Sequence, residues 1–276
     1  MVDYPAAVSA SAVSDTGRVR EHNEDAVWLG TRFFRDALGS ARFDGEETDG
    51  LVLAVADGVG GAAAGEIASR QVVEAMAARI TEAGPAVANA RAYHRVAEAV
   101  NGELLSSARR DLRRRGMATT YTGLHIAAGH ITWLNAGDSR LYHLGDSGVV
   151  QITRDHTLRE ESGDPSIPGN IITNCFGTAD GFHIDVGNTL EPIAGDRDAG
   201  RDAILLLCSD GLSDYADMQA VSERLMRLRN ELNDEATGDP NIVLDLLEEA
   251  SRFLLGLALE GGGGDNVTAM VVVLHA

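Results

Sequence analysis

The sequence predicts an α+β fold of two antiparallel sheets, each covered by a pair of helices. Three observations carry this expectation. Short apolar segments with period-two alternation, bounded by Gly and Asp turns, occupy the start, middle and end of the 276-residue chain. Two pairs of helical segments interrupt them. The order is therefore strands, two helices, strands, two helices and a last strand. Helices grouped in pairs, rather than alternating singly with strands, favour two sheets that each bury one pair.

The first strand is expected at Ala7–Ser14 (AVSASAVS), the second within Glu24–Gly30 (EDAVWLG) and the third at Leu51–Ala56 (LVLAVA). From Ala64 to about Thr81, Ile67, Val72, Val73, Met76 and Ile80 recur at helical spacing. GPAVANARA breaks that pattern, and a second helix is expected from about Tyr93 to Arg115. Its basic run, Arg109, Arg110, Arg113, Arg114 and Arg115, falls at the C-terminal end, where cations suit the helix dipole. The same run read otherwise is a docking patch. From Thr119 the period becomes two, and TTYTGLHIAAG, HITWLNAG, RLYHLGD and GVVQITR read as an antiparallel meander. A polar flap spans about 155–176. Within and beyond it, NIITNCFG, FHIDVG and DAILLLCSDG read as strands. Helices follow at about Met218–Asn233 and Asn241–Leu259, and GGGGDN leads into a final strand. No repeat or linker divides the chain, so residues 1–276 are expected to form one domain.

Composition removes several functions. Hydrophobic residues make up 44%, enough for a sizeable core, while the formal net charge of -19 opposes nucleic acid and anionic membrane surfaces. All 23 basic residues are arginine. Without lysine there is no Walker-A loop, no kinase strand lysine and no Schiff-base chemistry. Cys175 and Cys208 are far apart and form no CxxC pattern, so a disulfide framework is not expected and a reducing cytoplasm is. No signal peptide is legible, and no apolar run reaches the ~20 residues of a membrane helix.

The chemistry lies in carboxylates at strand ends. Asp57 follows LVLAVA and precedes Gly58. Asp210 follows AILLLCS and precedes Gly211. Asp265 follows GGGG and precedes Asn266, and Asp138 sits in the turn AGDSR. One Asp-Gly at a strand end is ordinarily a turn. Several beside glycines suggest clustered carboxylates, which repel one another unless cations neutralise them. Hard divalent ions such as Mg²⁺ or Mn²⁺ take oxygen ligands of this kind and suit phosphate chemistry.

The ordered set GRVREHNEDA (17–26), ADGVGG (56–61), ATT (118–120), AGDSRLY (136–142), RDHT (154–157), SDGLSD (209–214) and GGDNVT (263–268) resembles the bacterial branch of the protein phosphatase 2C family. The resemblance spans nearly the whole chain. It implies a four-layer αββα sandwich with a binuclear Mn²⁺ or Mg²⁺ centre. Asp57 would bridge the two metals, Gly58 would offer its carbonyl to the first, and Asp210 and Asp265 would hold the second. Glu24 and Asp25 would act through metal-bound waters. A third, weaker site is implied at Asp138 and Asp210, with Asp214 contributing. Arg20 matches the arginine that grips the substrate phosphate, a task that suits a planar, permanently charged guanidinium. Asn266 would orient a ligand or water, or stabilise its turn. The implied reaction is hydrolysis of phosphoserine and phosphothreonine by a metal-bridging water. The implied partners are phosphorylated proteins and a Ser/Thr kinase, and a monomer is expected.

Rival readings are weaker. A cysteine phosphatase needs an arginine six residues after its cysteine, but Asp214 and Gly181 stand there. GVGGAA (58–63) fits a dinucleotide loop, yet no parallel strand with an acidic residue follows its helix. A catalytically weak or dead binding module keeps the fold but would typically lack one of Asp57, Asp210 and Asp265. Two departures from the resembled pattern stand out. Val59 and Ala62 occupy positions where relatives carry histidine, so this loop offers no proton donor. His156 is the remaining candidate, with a structural role at the flap base as the alternative. The flap is shorter than in many bacterial relatives, and Asn174 replaces an arginine, so altered substrate preference is expected.

Overall fold

A computed structural model describes residues 5–59, 64–84, 87, 89–127, 130–188, 193, 196, 200–233 and 239–276. Two six-stranded antiparallel sheets lie face to face. In spatial order the first contains β11 (Gly148–Gln151), β10 (Arg140–Gly145), β13 (Ala203–Cys208), β14 (Val267–His275), β1 (Ala7–Asp15) and β4 (Ala37–Asp44). The second contains β12 (Asp185–Asn188), β9 (His130–Ala136), β8 (Tyr121–Ala127), β5 (Leu51–Ala56), β2 (Ala26–Leu29) and β3 (Arg32–Phe34). A small ribbon pairs β6 (Gly58–Val59) with β7 (Ala118–Thr119). Helices α1 (Gly65–Ala83) and α2 (Ala90–Arg110) cover the second sheet. Two short helices, α3 (Leu158–Ser162) in the flap and α4 (Asp210–Ser213), precede α5 (Met218–Leu232) and α6 (Pro240–Glu260), which cover the first sheet.

Strand periodicity divides the apolar residues among three layers. Leu53 and Val55 of β5 meet Leu205 and Leu207 of β13 between the sheets. Val52, Ala54 and Ala56 point the other way, onto Val72, Met76 and Leu104 of the first helix pair. Ile204 and Leu206 pack on Leu225, Leu247 and Leu254 of the second. Each central strand is thus buried on both faces. That is why LVLAVA and AILLLC are continuous apolar runs rather than alternating ones.

The four-layer expectation holds, with local corrections. The expected meander is split: β8 and β9 belong to one sheet, β10 and β11 to the other, and the chain crosses at Asp138. NIITNCFG forms no strand. It makes only the isolated bridges Thr119↔Phe176 and Thr157↔Ile172, because the Asn174 side chain is spent on the backbone of His183. The second helix starts at Ala90, capped by Asn89, and ends at Arg110. Asp111 stops it by accepting from the Arg113 N–H and pairing with the Arg113 guanidinium at 2.9 Å. Arg113 and Arg114 therefore lie in a 3₁₀ turn and Arg115 caps it. Strands β3 and β4 were not anticipated; β4 is a half-exposed edge strand with little alternation. Most of the glycine loop, Gly60–Ala63, lies outside the described residues.

Leu205 is fully buried between the sheets. Leu205→Ala should cost about 2–5 kcal/mol in urea unfolding. An unchanged midpoint would contradict a close-packed layer there.

Candidate metal centre

At one edge of the sandwich, strands from both sheets begin or end together. β1 ends at Asp15 opposite Val267, the start of β14. β13 ends at Cys208 opposite Arg140, the start of β10. In the other sheet, β2 starts at Ala26 opposite Ala56 of β5, and β8 starts at Tyr121 opposite Ala136 of β9. The carboxylates singled out in the sequence flank these ends. Glu24, Asp57, Asp138, Asp210 and Asp265 line one cleft of about 190 Å³, together with Arg20, Gly58, Val59, Asn266 and the flap residues Asn170 and Ile172. Asp214 lies in an adjoining polar cleft of about 760 Å³, which also contains Asp138, Asp210 and Arg140. Asp25 does not line the cleft. It is buried beneath it, with Oδ2 accepting from Ser209 Oγ at 2.8 Å.

Backbone contacts hold these groups in place. The Asp57 N–H donates to Thr120 Oγ1 at 2.8 Å, and its carbonyl accepts from the Thr120 N–H at 2.9 Å and Thr119 Oγ1 at 2.8 Å. A Cβ on Gly58 would lie 2.4 Å from the Gly65 carbonyl oxygen and 2.7 Å from that of Glu24, so only glycine lets these three segments converge. Asn266 ties the Thr16–Glu24 segment to the start of β14. Its Oδ1 accepts from the Glu24 N–H at 2.8 Å, and its Nδ2 donates to the carbonyls of Thr16 at 2.9 Å and His22 at 3.0 Å. These contacts accord with a turn-stabilising role, and Asn266 also lines the cleft.

The electrostatics are strained. Burial first, then the charges of Asp25, Asp210, Asp138 and Asp265, push the Asp57 carboxyl well above its ordinary range. Burial and Asp265 raise Asp210; burial raises Glu24 and Asp25; burial and Asp210 push Asp138 up to about 7. Arg20 stands at the mouth, donating to Asp265 Oδ2 at 2.7 Å. Two carboxylate oxygens, Asp25 Oδ1 and Asp210 Oδ1, are buried without a hydrogen-bond partner among the described residues. Buried polar atoms ordinarily have partners. An all-oxygen donor set with orphaned oxygens fits hard divalent cations.

A match to the family described as protein phosphatase 2C covers residues 33–246. The chain belongs to the protein phosphatase 2C family. It is 31% identical over 271 residues to the serine/threonine protein phosphatase PstP of Mycobacterium tuberculosis, covering 95% of this chain and 44% of that protein. The chain thus spans less than half the length of that relative. It is 27% identical to the serine/threonine phosphatase stp of Listeria monocytogenes, covering 94% of this chain and 93% of the other. Among solved structures, the catalytic domain of PstP in complex with two manganese ions superposes with a TM-score of 0.71 at 28% identity, covering 98% of this chain and 100% of that one.

Beyond the phosphatase 2C carboxylates, the structure reveals partners whose roles were not read from the sequence. Arg140 grips Asp155 with both ends of its guanidinium, at 3.0 Å from Nε and 2.7 Å from Nη2, on the wall of the wider cleft. Thr120 Oγ1 and Ser139 Oγ hydrogen-bond at 2.6 Å. All four residues lie in quoted motifs, but nothing in the motifs says which touches which. His156, the proton-donor candidate, does not line the cleft and has both ring nitrogens engaged, which leaves its structural alternative. With His183 and Asp185 it brings potential ligand atoms within 4.8 Å of one another. Both cysteines are free and buried, and burial pushes the Cys175 thiol up to about 11 and that of Cys208 to about 12.

A carboxyl raised above its ordinary 3.8 holds its proton more tightly in the folded than in the unfolded chain. The contribution of Asp138 to metal-free stability is therefore full below about pH 4 and lost as pH rises through about 7. The melting temperature of chelator-treated protein should decline across that window, less steeply in Asp138→Asn, and Mn²⁺ should restore it at pH 8. A flat metal-free profile would contradict this electrostatic picture.

Proposed function

We propose that this chain is a metal-dependent protein serine/threonine phosphatase that uses Mn²⁺ or Mg²⁺. The observation that carries the reading is the convergence of Glu24, Asp57, Asp138, Asp210 and Asp265 with Arg20 in one cleft of a phosphatase 2C fold. Asp57, the Gly58 carbonyl, Asp210 and Asp265 would together hold two cations, with Asp57 placed to serve both. Glu24 and Asp25 act behind them. Asp138, Asp210 and Asp214 form a weaker third site, supported by their common position around the wider cleft. The two manganese ions of the PstP catalytic domain support the cation count.

Divalent cations bound there supply Lewis acidity and a water acidic enough to act as nucleophile near neutral pH. The chain's own residues do the rest. Arg20 is half-exposed at the mouth, where exchanging its Asp265 contact would let its guanidinium face two phosphoryl oxygens of an incoming phosphoamino acid. Val59 and the flap residue Ile172 give the cleft an apolar wall, and Asn170 a polar one. The flap thereby reaches the substrate, in keeping with an altered preference among phosphopeptides. No protein side chain in the cleft serves as proton donor in this reading.

The substrates are phosphoserine and phosphothreonine proteins, with a Ser/Thr kinase acting on the same proteins. The reading takes the chain as a monomeric single domain over 1–276, and a cytoplasmic placement accords with the two free cysteines. Among the described residues no helix is long and apolar enough to cross a membrane. A dead binding module is disfavoured because none of the acidic positions is substituted.

Hydrolysis of p-nitrophenyl phosphate and of phosphopeptides, titrated with Mn²⁺ and Mg²⁺, tests the reading. Asp57→Ala should reduce both activities to background. Arg20→Ala removes a charge-assisted contact and should lower kcat/KM by about tenfold or more. Wild-type protein that hydrolyses neither substrate in any divalent metal would instead establish the binding module.

A further inference from the structure

A continuous polar network runs from Asp57 to the base of the flap through the turn that carries Asp138. Thr120 Oγ1 accepts from the Asp57 N–H and bonds Ser139 Oγ, the residue after Asp138. On the other side, Gly137 is gripped twice by His156. The His156 N–H donates to the Gly137 carbonyl at 3.0 Å, and the Gly137 N–H donates to His156 Nδ1 at 3.2 Å. Gly137 has φ of +114°, and a Cβ there would lie 2.6 Å from Thr120 Cβ. The turn has little room to adopt another shape.

The His156 ring has one protonation pattern consistent with its neighbours. Nδ1 faces two donors, the Gly137 N–H and Asn174 Nδ2 at 2.7 Å. The Asn174 amide cannot be turned over, because Nδ2 donates to the His183 carbonyl at 3.0 Å while Oδ1 accepts from the His183 N–H at 3.1 Å. Nδ1 is therefore an acceptor, and the proton sits on Nε2, donated to Asp185 Oδ2 at 3.0 Å. This assignment argues against a metal at His156, His183 and Asp185. A cation on Nε2 would displace that proton while two N–H groups still point at Nδ1, leaving an imidazolate; a metal-bound histidine ordinarily keeps a proton on its other nitrogen.

We infer that His156 is a positioning residue for Asp138. Asp185 fixes its tautomer, Asn174 fixes its ring, and the ring holds the Asp138 turn in the shape a third cation requires. The same residue joins the two ends of the flap: its carbonyl accepts from the Thr173 N–H at 2.9 Å, and Thr157 pairs with Ile172. Flap and third site are thereby mechanically linked. The inference rests on the reading of Asp138 as a cation ligand.

Two measurements on the full chain test it. Nitrogen-15 NMR of wild-type protein at neutral pH should find His156 neutral with its proton on Nε2. Calorimetric Mn²⁺ titration should resolve a weak phase that Asp138→Ala abolishes. Asn174→Asp draws a proton to Nδ1, against the Gly137 N–H, and should weaken that phase about tenfold while sparing the tight sites. Asp185→Asn, which keeps an acceptor for Nε2–H, should bind like wild type, whereas Asp185→Ala should not. A proton on Nδ1 in the wild type, or an unaltered weak phase in Asn174→Asp, would overturn the positioning role and leave the phosphatase reading standing. So would Zn²⁺ binding that His183→Ala removes. A titration unchanged by Asp138→Ala would remove the third-site assignment and this inference with it.

Discussion

Asp25, Asp57, Asp138 and Asp210 are carboxylates that burial and mutual repulsion push toward their neutral forms. Among the described residues, the positive charge that reaches them comes mainly from Arg20 and Arg140, and these are hydrogen-bonded to Asp265 and Asp155. An arrangement that stores like charge at the edge of a well-packed protein is stable as a charged set only when cations enter it. The constraint also bears on the proposed phosphatase activity of so acidic a chain. Cations held by these carboxylates would reverse locally the field that repels a phosphorylated substrate.

The sandwich exists to keep those carboxylates in register. Strands from two sheets must end together, which requires both sheets to be fixed against each other and against their helices. The three apolar layers do this, with central strands buried on both faces. The candidate site residues then come from the loops at the ends: Arg20, Glu24 and Asp25 between β1 and β2, Asp57 after β5, Asp138 where the chain crosses between sheets, Asp210 after β13 and Asp265 before β14. The crossing matters most for Asp138. A meander confined to one sheet would have left its turn at the rim of that sheet rather than between the two.

The helix pairs, the central strands and the ordered acidic motifs were legible because each has a local signature: 3.6-residue periodicity, continuous apolar runs, Asp beside glycine. What escaped was set by tertiary contact. β4 shows weak alternation because it is a half-exposed edge. α2 ends at Arg110, short of Arg115, because the side chain of Asp111 competes for the backbone that would continue the helix. NIITNCFG has the composition of a strand, yet Asn174 spends its amide on His183 and His156. The acidic residues could be named from the sequence, but the burial of Asp25 beneath the cleft and the pairing of Thr120 with Ser139 could not, since neither is encoded in spacing.

The central claim is that this cleft is a cation site whose charge the fold cannot otherwise balance. Anomalous scattering at the manganese edge from crystals grown with Mn²⁺ tests it most directly. The account predicts two strong peaks among Asp57, Gly58, Asp210 and Asp265. An empty cleft at saturating Mn²⁺, or occupancy at His156, His183 and Asp185 instead, would contradict it.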